Sequence, residues 1–146
     1  MKGHPRVIGY LQRAVNHEFS AAQQYTLQAV QAEAWGLKPL ADELREGVRE
    51  ELRHAEVFLR RMVALGVSPH AGQPRALQAG RSHAELLRFG MATESDAIRL
   101  YAEARQFCDR IADVDNRDIF ARILEDEVHH YQELERQLQA LGAGRR

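Results

Sequence analysis

Apolar residues recur along this chain in alternating steps of four and three. The first run reads Val7, Leu11, Ala14, Glu18, Ala21, Tyr25, Gln28 and Ala32. That spacing draws one stripe down a helix. Pro5 suits the first helical turn and Trp35-Gly36 breaks the pattern, so a helix is predicted over about 5–33. A second stripe, Leu40, Leu44, Val48, Glu51, Ala55, Phe58, Met62 and Leu65, predicts a helix over about 39–65, with Pro39 at its start and Gly66 at its end. Residues 66–81 show no period and hold three Gly and two Pro, so they read as a loop. Ser82-His83-Ala84-Glu85 fits a capping box. The stripe behind it, Leu87, Gly90, Glu94, Ala97, Tyr101, Ala104, Cys108 and Ile111, predicts a third helix over about 82–111. Asp113 to Asn116 reads as a polar turn. Phe120, Ile123, Glu127, His130, Leu134, Leu138 and Leu141 predict a fourth helix over about 116–141, closed by Gly142 and followed by an Ala-Gly-Arg-Arg tail.

The connections then set the topology. The long loop spans up to about 50 Å when extended, and a helix of this length is about 40 Å long. The loop can therefore cross the whole bundle and leave the second and third helices parallel. The expected fold is all-α: a four-helix bundle with one long crossover between helices 2 and 3 and no fifth helix, over 1–146 as a single domain. The four-three spacing suits the shallow crossing angles of such bundles.

The stripes are not purely apolar. Glu18, Glu51, Glu94 and Glu127 each fall on the inward stripe of a different helix, and His54 and His130 each follow a glutamate by three residues. Residues three apart share a helix face, so each Glu-x-x-His offers a carboxylate beside an imidazole. One such pair is usually a structural hydrogen bond. Here the set repeats at a constant offset of 76: Glu18/Glu94, Glu51/Glu127, His54/His130, with Tyr25/Tyr101 in the same register.

Four buried carboxylates need compensation, and no Lys or Arg lies on the stripes. Two divalent cations would balance four negative charges and leave the histidines neutral as ligands. Carboxylate and imidazole donors without thiolate suit iron or manganese better than structural zinc. One glutamate from each of two helices and Glu-x-x-His from each of the other two is the donor set of two-metal carboxylate bundles. In that reading Glu51 and Glu127 bridge the ions, Glu18 and Glu94 are terminal ligands, and each ion takes one histidine. Tyr25 has two open readings: a hydrogen-bond or electron donor beside the site, or ordinary core. Tyr101 reads as core. Glu46 and Glu50 read as surface charge or as an iron-collecting patch. His4, His17, His70 and His83 read as surface residues, His129 as surface or interface, and Cys108 as a small core residue.

Several segments resemble bacterioferritin, a branch of the ferritin-like family of di-iron carboxylate proteins. They include Met1-Lys2-Gly3, Asn16-His17-Glu18, Gln24-Tyr25, Trp35-Gly36-Leu37, Glu51 to Ala55, and Ile123-Leu124-Glu125-Asp126-Glu127 with His130. The similarity spans nearly the whole chain. It implies a ferritin-like bundle with two iron ions per subunit (manganese being the other candidate). The implied activity is a ferroxidase that oxidises Fe(II) with O2 or H2O2 and stores the product. It implies a homo-oligomer built from two-fold dimers, a twenty-four-subunit shell in the family's form, or a shell mixed with a haem-binding subunit. The six positions match the family's ferroxidase ligands, and Tyr25 matches a neighbouring tyrosine. Glu46 and Glu50 match inner-surface iron positions in part. Leu52 stands where the family carries a haem-ligating methionine, and Met62 is about three turns away, so haem binding is not expected. The family usually continues into a fifth helix, which this chain does not show after Gly142. A non-storing di-iron or di-manganese oxidase or peroxidase, and a structural shell subunit, are the competing functions.

Composition narrows the partners. Among 146 residues, 28% are charged and 45% hydrophobic, with 20 basic against 21 acidic side chains. A net charge of −1 gives no field to gather nucleic acid or an anionic membrane. No stretch reads as a membrane span or a signal-peptide core. One cysteine allows no intrachain disulfide, which points to the cytoplasm.

Overall fold

A computed structural model describes residues 3–70 and 72–143. Four helices run in order: α1 (Pro5–Ala34), α2 (Lys38–Ala64), α3 (His83–Arg110) and α4 (Val114–Ala143), with no strand among the described residues. Among the described residues, no helix is long and apolar enough to cross a membrane. The Gly144–Arg146 part of the expected tail lies outside the described residues.

Local chemistry sets the helix ends. The His4 ring accepts the Arg6 N–H at 3.1 Å to open α1. Gly36 and Gly66 both take φ of +75°, the left-handed conformation that ends α1 and α2. Ser82 Oγ accepts the Glu85 N–H at 3.1 Å, the cap the sequence predicts for α3. The fourth helix departs from expectation. The polar turn predicted over 113–116 is shorter, because Asp113 caps α4: its carboxylate accepts the Asn116 backbone N–H at 3.3 Å and the Asn116 side-chain amide at 2.7 Å. Asn116 is thereby inside the helix and buried, and its Oδ1 accepts from Arg61 Nε at 2.7 Å.

Packing pairs α1 with α2 and α3 with α4, and α1 also touches α3. The crossover between α2 and α3 lies along α1, held by three glutamines. Gln12 donates to the His70 carbonyl (3.0 Å) and accepts the His70 N–H (2.8 Å). Gln24 does the same with Gln78 (2.9 and 3.0 Å), and Gln31 with Gly80 (2.8 and 3.1 Å). Each side-chain amide thus satisfies one backbone donor and one acceptor of a segment with no ladder of its own. The order 12, 24, 31 against 70, 78, 80 shows the crossover running parallel to α1, which returns the chain to the end where α3 must begin.

The core divides into two apolar clusters. One gathers Val7, Leu11, Phe58, Met62, Tyr101, Phe107 and Phe120. The other gathers Ala21, Tyr25, Leu40, Leu44, Leu86, Leu87 and Leu134. Glu18 on α1, and Glu51 with His54 on α2, fall between the two clusters along their helices. The acidic residues therefore form a polar layer in mid-bundle, sealed above and below.

Candidate metal centre

All four glutamates are at most 1% exposed, each on its own helix. Ligand atoms of Glu18, Glu51, His54 and Glu127 lie within 4.8 Å of one another, and so do those of Glu51, Glu94, Glu127 and His130. The two groups share Glu51 and Glu127, the geometry in which two carboxylates can serve two ions.

The unpartnered atoms show where these side chains point. Both oxygens of Glu51 and of Glu127, one oxygen each of Glu18 and Glu94, and Nδ1 of both histidines make no hydrogen bond. His54 Nδ1 lies 2.8 Å from Glu127 and 3.7 Å from Glu18, close enough for ion pairing without hydrogen-bond geometry. His130 Nδ1 lies 3.2 Å from Glu94. So many orphaned buried atoms in one layer are foreign to a structural hydrogen-bond network. The donor set is oxygen and imidazole without sulfur, which fits two hard or borderline divalent ions.

The remaining oxygens are held from outside. Tyr25 donates to Glu94 Oε1 at 2.5 Å, and Tyr101 donates to Glu18 Oε1 at 2.5 Å. Going up α1 from Glu18 to Tyr25 means going down α3 from Tyr101 to Glu94. The offset of 76 therefore becomes a reciprocal pair of bonds across two antiparallel helices. Behind His54, its Nε2 meets Asp126 at 3.0 Å and Glu50 at 3.9 Å. A carboxylate there favours the Nε2–H tautomer and leaves Nδ1 as the free donor atom.

Electrostatics of the metal-free layer follow from crowding. Burial, then the charges of Glu18 and Glu94, push the Glu51 carboxyl well above its usual range. Burial also raises Glu18, but contacts with Glu51, His54 and Tyr101 outweigh it and bring the group below its usual value. For His54 and His130 burial alone lowers the value, yet Glu18 and Glu94 respectively carry each imidazole above it. Burial and then Glu94 raise the Tyr25 phenol well above normal, and burial and then Glu18 do so for Tyr101, so both stay protonated donors.

The other expectations fall out unevenly. Glu46 is not part of the layer: it is exposed and held by Arg49 at 2.8 Å and Arg53 at 3.4 Å. Glu50 reaches the outer side of His54. Leu52 is exposed at 44% on α2. Cys108 is buried, and burial pushes its thiol up to about 11, outside the range of a reactive thiolate at neutral pH. His129 is exposed. The surface expectation for His17 is corrected: it is 2% exposed, with its ring edge on Tyr101 at 6.4 Å. A single stripe misses it because α1 packs against α2, α3 and the crossover together, so its buried arc is broad. Tyr101 is buried as its core reading expects, but that reading misses its hydroxyl bond to Glu18, for which the offset of 76 from Tyr25 is the available signal. Asp126 carried no such signal, since it neighbours Glu127 and projects from a different side of α4.

A mid-bundle layer of four buried glutamates and two histidines, one carboxylate from every helix, defines a ferritin-like bundle. The ferritin-like domain family matches residues 8–143. Curated bacterioferritins from Rhodobacter capsulatus and Brucella melitensis are 35% and 34% identical, covering 94% and 97% of this chain and 86% and 88% of theirs. The solved structure of the Rhodobacter capsulatus bacterioferritin superposes with a TM-score of 0.94 at 34% identity, covering 98% of this chain and 89% of that one. That protein is described with a metal-free dinuclear site and haem iron. The chain belongs to the bacterioferritins of the ferritin-like family.

Proposed function

We propose that this protein is a ferroxidase subunit of an iron store. It takes Fe(II) as substrate into the mid-bundle layer, where O2 or H2O2 oxidises it, and passes Fe(III) to storage. The observation that carries this reading is the pair of overlapping ligand groups sharing Glu51 and Glu127. Glu18 and His54 complete one side, and Glu94 and His130 the other. When bound, two Fe(II) supply two electrons to the oxidant. The chain's own residues do the rest. Four carboxylates balance two divalent charges in a layer shielded from water. Tyr25 and Tyr101 hold the outer oxygens of Glu94 and Glu18, so the other oxygens stay aimed inward. Glu50 and Asp126, on the outer side of His54, form a second acidic group that favours cations beside the layer.

Assembly belongs to the same proposal. Leu52, Leu59 and Val63 recur along one side of α2, and Leu52 and Val63 are 44% and 67% exposed. A second copy would cover this face and form the two-fold dimer of a larger homo-oligomer. Leu52 offers no thioether, so such an interface has no axial methionine for haem.

The test loads anaerobic protein with Fe(II), admits oxygen, and weighs the assembly before and after. Oxidation of many irons per chain at a large, constant mass supports storage. Oxidation that stops near two irons per chain in a small oligomer overturns storage and leaves a two-metal oxidase. No oxidation at all overturns both.

A further inference from the structure

Gln28 is buried in α1, yet the metal layer does not use it. It is 0% exposed, and neither its Oε1 nor its Nε2 has a hydrogen-bond partner. Buried amides are nearly always paired, and outside the metal-facing atoms only His17 shares this condition among the described residues. Gln28 lines a narrow chamber of about 20 Å³ together with Tyr25, Gly47, Gly90 and His130. One water needs about 10–15 Å³ of such space, so the chamber has room for a molecule of no more than two oxygen atoms.

The chamber is kept open by missing side chains. A Cβ at Gly47 would stand 3.7 Å from the Tyr25 ring and 3.9 Å from the His130 ring, in the space between them. A Cβ at Gly90 would press Leu134 at 3.1 Å and meet the Tyr25 ring at 3.7 Å. The outer end is lined by polar groups: Gln137 donates to Glu43 at 2.6 Å and to Glu133 at 3.3 Å. Five leucines, Leu40, Leu44, Leu86, Leu87 and Leu134, make the wall mainly apolar, and its two carboxylates, Glu43 and Glu133, are tied to Gln137, so the space beside Gln28 favours an uncharged occupant. An occupant must be small and uncharged, and must both donate and accept to satisfy the Gln28 amide. Water and hydrogen peroxide meet all three conditions, and dioxygen has no proton to donate.

We propose that Gln28 is the binding group of a docking chamber for hydrogen peroxide, one side chain away from the metal layer. The proposal rests on the oxidase reading above. Peroxide released past His130 accepts two electrons from two Fe(II) and two protons. Its O–O bond breaks to give two waters, and both irons become Fe(III). Gln28 does not react; it selects and holds the oxidant.

Two experiments decide it. Crystals loaded with redox-inert Zn(II) are soaked in hydrogen peroxide and solved at atomic resolution. Two-atom density hydrogen-bonded to the Gln28 amide is expected; water alone, or no density, overturns the assignment. In Fe(II) oxidation, Gln28→Leu should raise the KM for peroxide about ten-fold, the loss of a hydrogen bond, with kcat changed less than about two-fold. Gln28→His, which keeps one donor and one acceptor, should restore most of the KM. A peroxide KM unchanged by Gln28→Leu overturns the proposal. Zn(II) stoichiometry, measured in parallel, reports on the layer itself. A wild-type chain that binds no metal refutes the oxidase reading, and the soaked crystals still decide the chamber.

Discussion

The two ligand groups repeat one donor set, but their histidines are held differently. His54 has a 6% exposed side chain, with Asp126 at 3.0 Å and Glu50 at 3.9 Å behind its outer nitrogen. His130 is 22% exposed, and no carboxylate among the described residues lies within 4.0 Å of its outer nitrogen. Its ring borders the chamber at Gly47 instead. An internal two-fold in the sequence thus yields one braced side and one looser side. On the proposed function, the braced side would retain its ion and the looser side would exchange one.

The harshest way to break this comparison is to remove what the sides share. Glu51→Ala should slow iron oxidation by about two orders of magnitude or more and impair binding of both ions. In the metal-free protein the similar-sized Glu51→Leu should raise stability by about 1–3 kcal/mol, because a hydrophobe replaces a buried, crowded acid without leaving a cavity. Oxidation rates and chemical denaturation check both parts; intact binding of one ion would show that the sharing is wrong. Asp126→Asn sharpens the contrast. It should weaken one of two Zn(II) binding steps by about ten-fold and spare the other, read by calorimetric titration. Equal weakening of both steps would erase the distinction between the sides.

Acidity gives the next test. Both histidines have folded values above 6.5. The stability they add to the metal-free protein is complete below that value and lost as pH rises through the folded one. Glu51, also raised, acts in the same direction. Metal needs the deprotonated forms. Between about pH 6 and about pH 8, the Tm of the metal-free protein should fall while the gain on adding Zn(II) grows. A Zn(II) gain independent of pH would contradict the assigned ligands. Tyr25→Phe and Tyr101→Phe then test the symmetric part. Each removes one hydrogen bond to a buried carboxylate and should cost about 1.5–3 kcal/mol, by similar amounts. The smallest effect belongs outside the layer. Gln24→Ala should cost about 0.5–1 kcal/mol and speed hydrogen exchange at the Gln78 amide, without changing metal binding.

Much of this arrangement was legible in the chain. Four stripes and one long aperiodic segment fix a crossover bundle, and the constant offset of 76 marks six inward positions that the fold does bring together. What escaped has specific causes. His17 hides beside Glu18 because α1 buries a face wider than one stripe. Asn116 reads as turn because its burial depends on Asp113 capping the helix and on Arg61 reaching across from α2. The glutamine clamps on the crossover have no periodic signature, since their partners are backbone groups far along the chain. Asp126 gains its place only through His54, a contact between α2 and α4 that spacing alone does not reveal.

The most direct test is anomalous diffraction from crystals grown with Zn(II) or loaded anaerobically with Fe(II). Two ions in the mid-bundle layer are predicted, both touching Glu51 and Glu127, one with Glu18 and His54 and the other with Glu94 and His130. A single ion, or ions bound elsewhere while this layer holds none, would contradict the account.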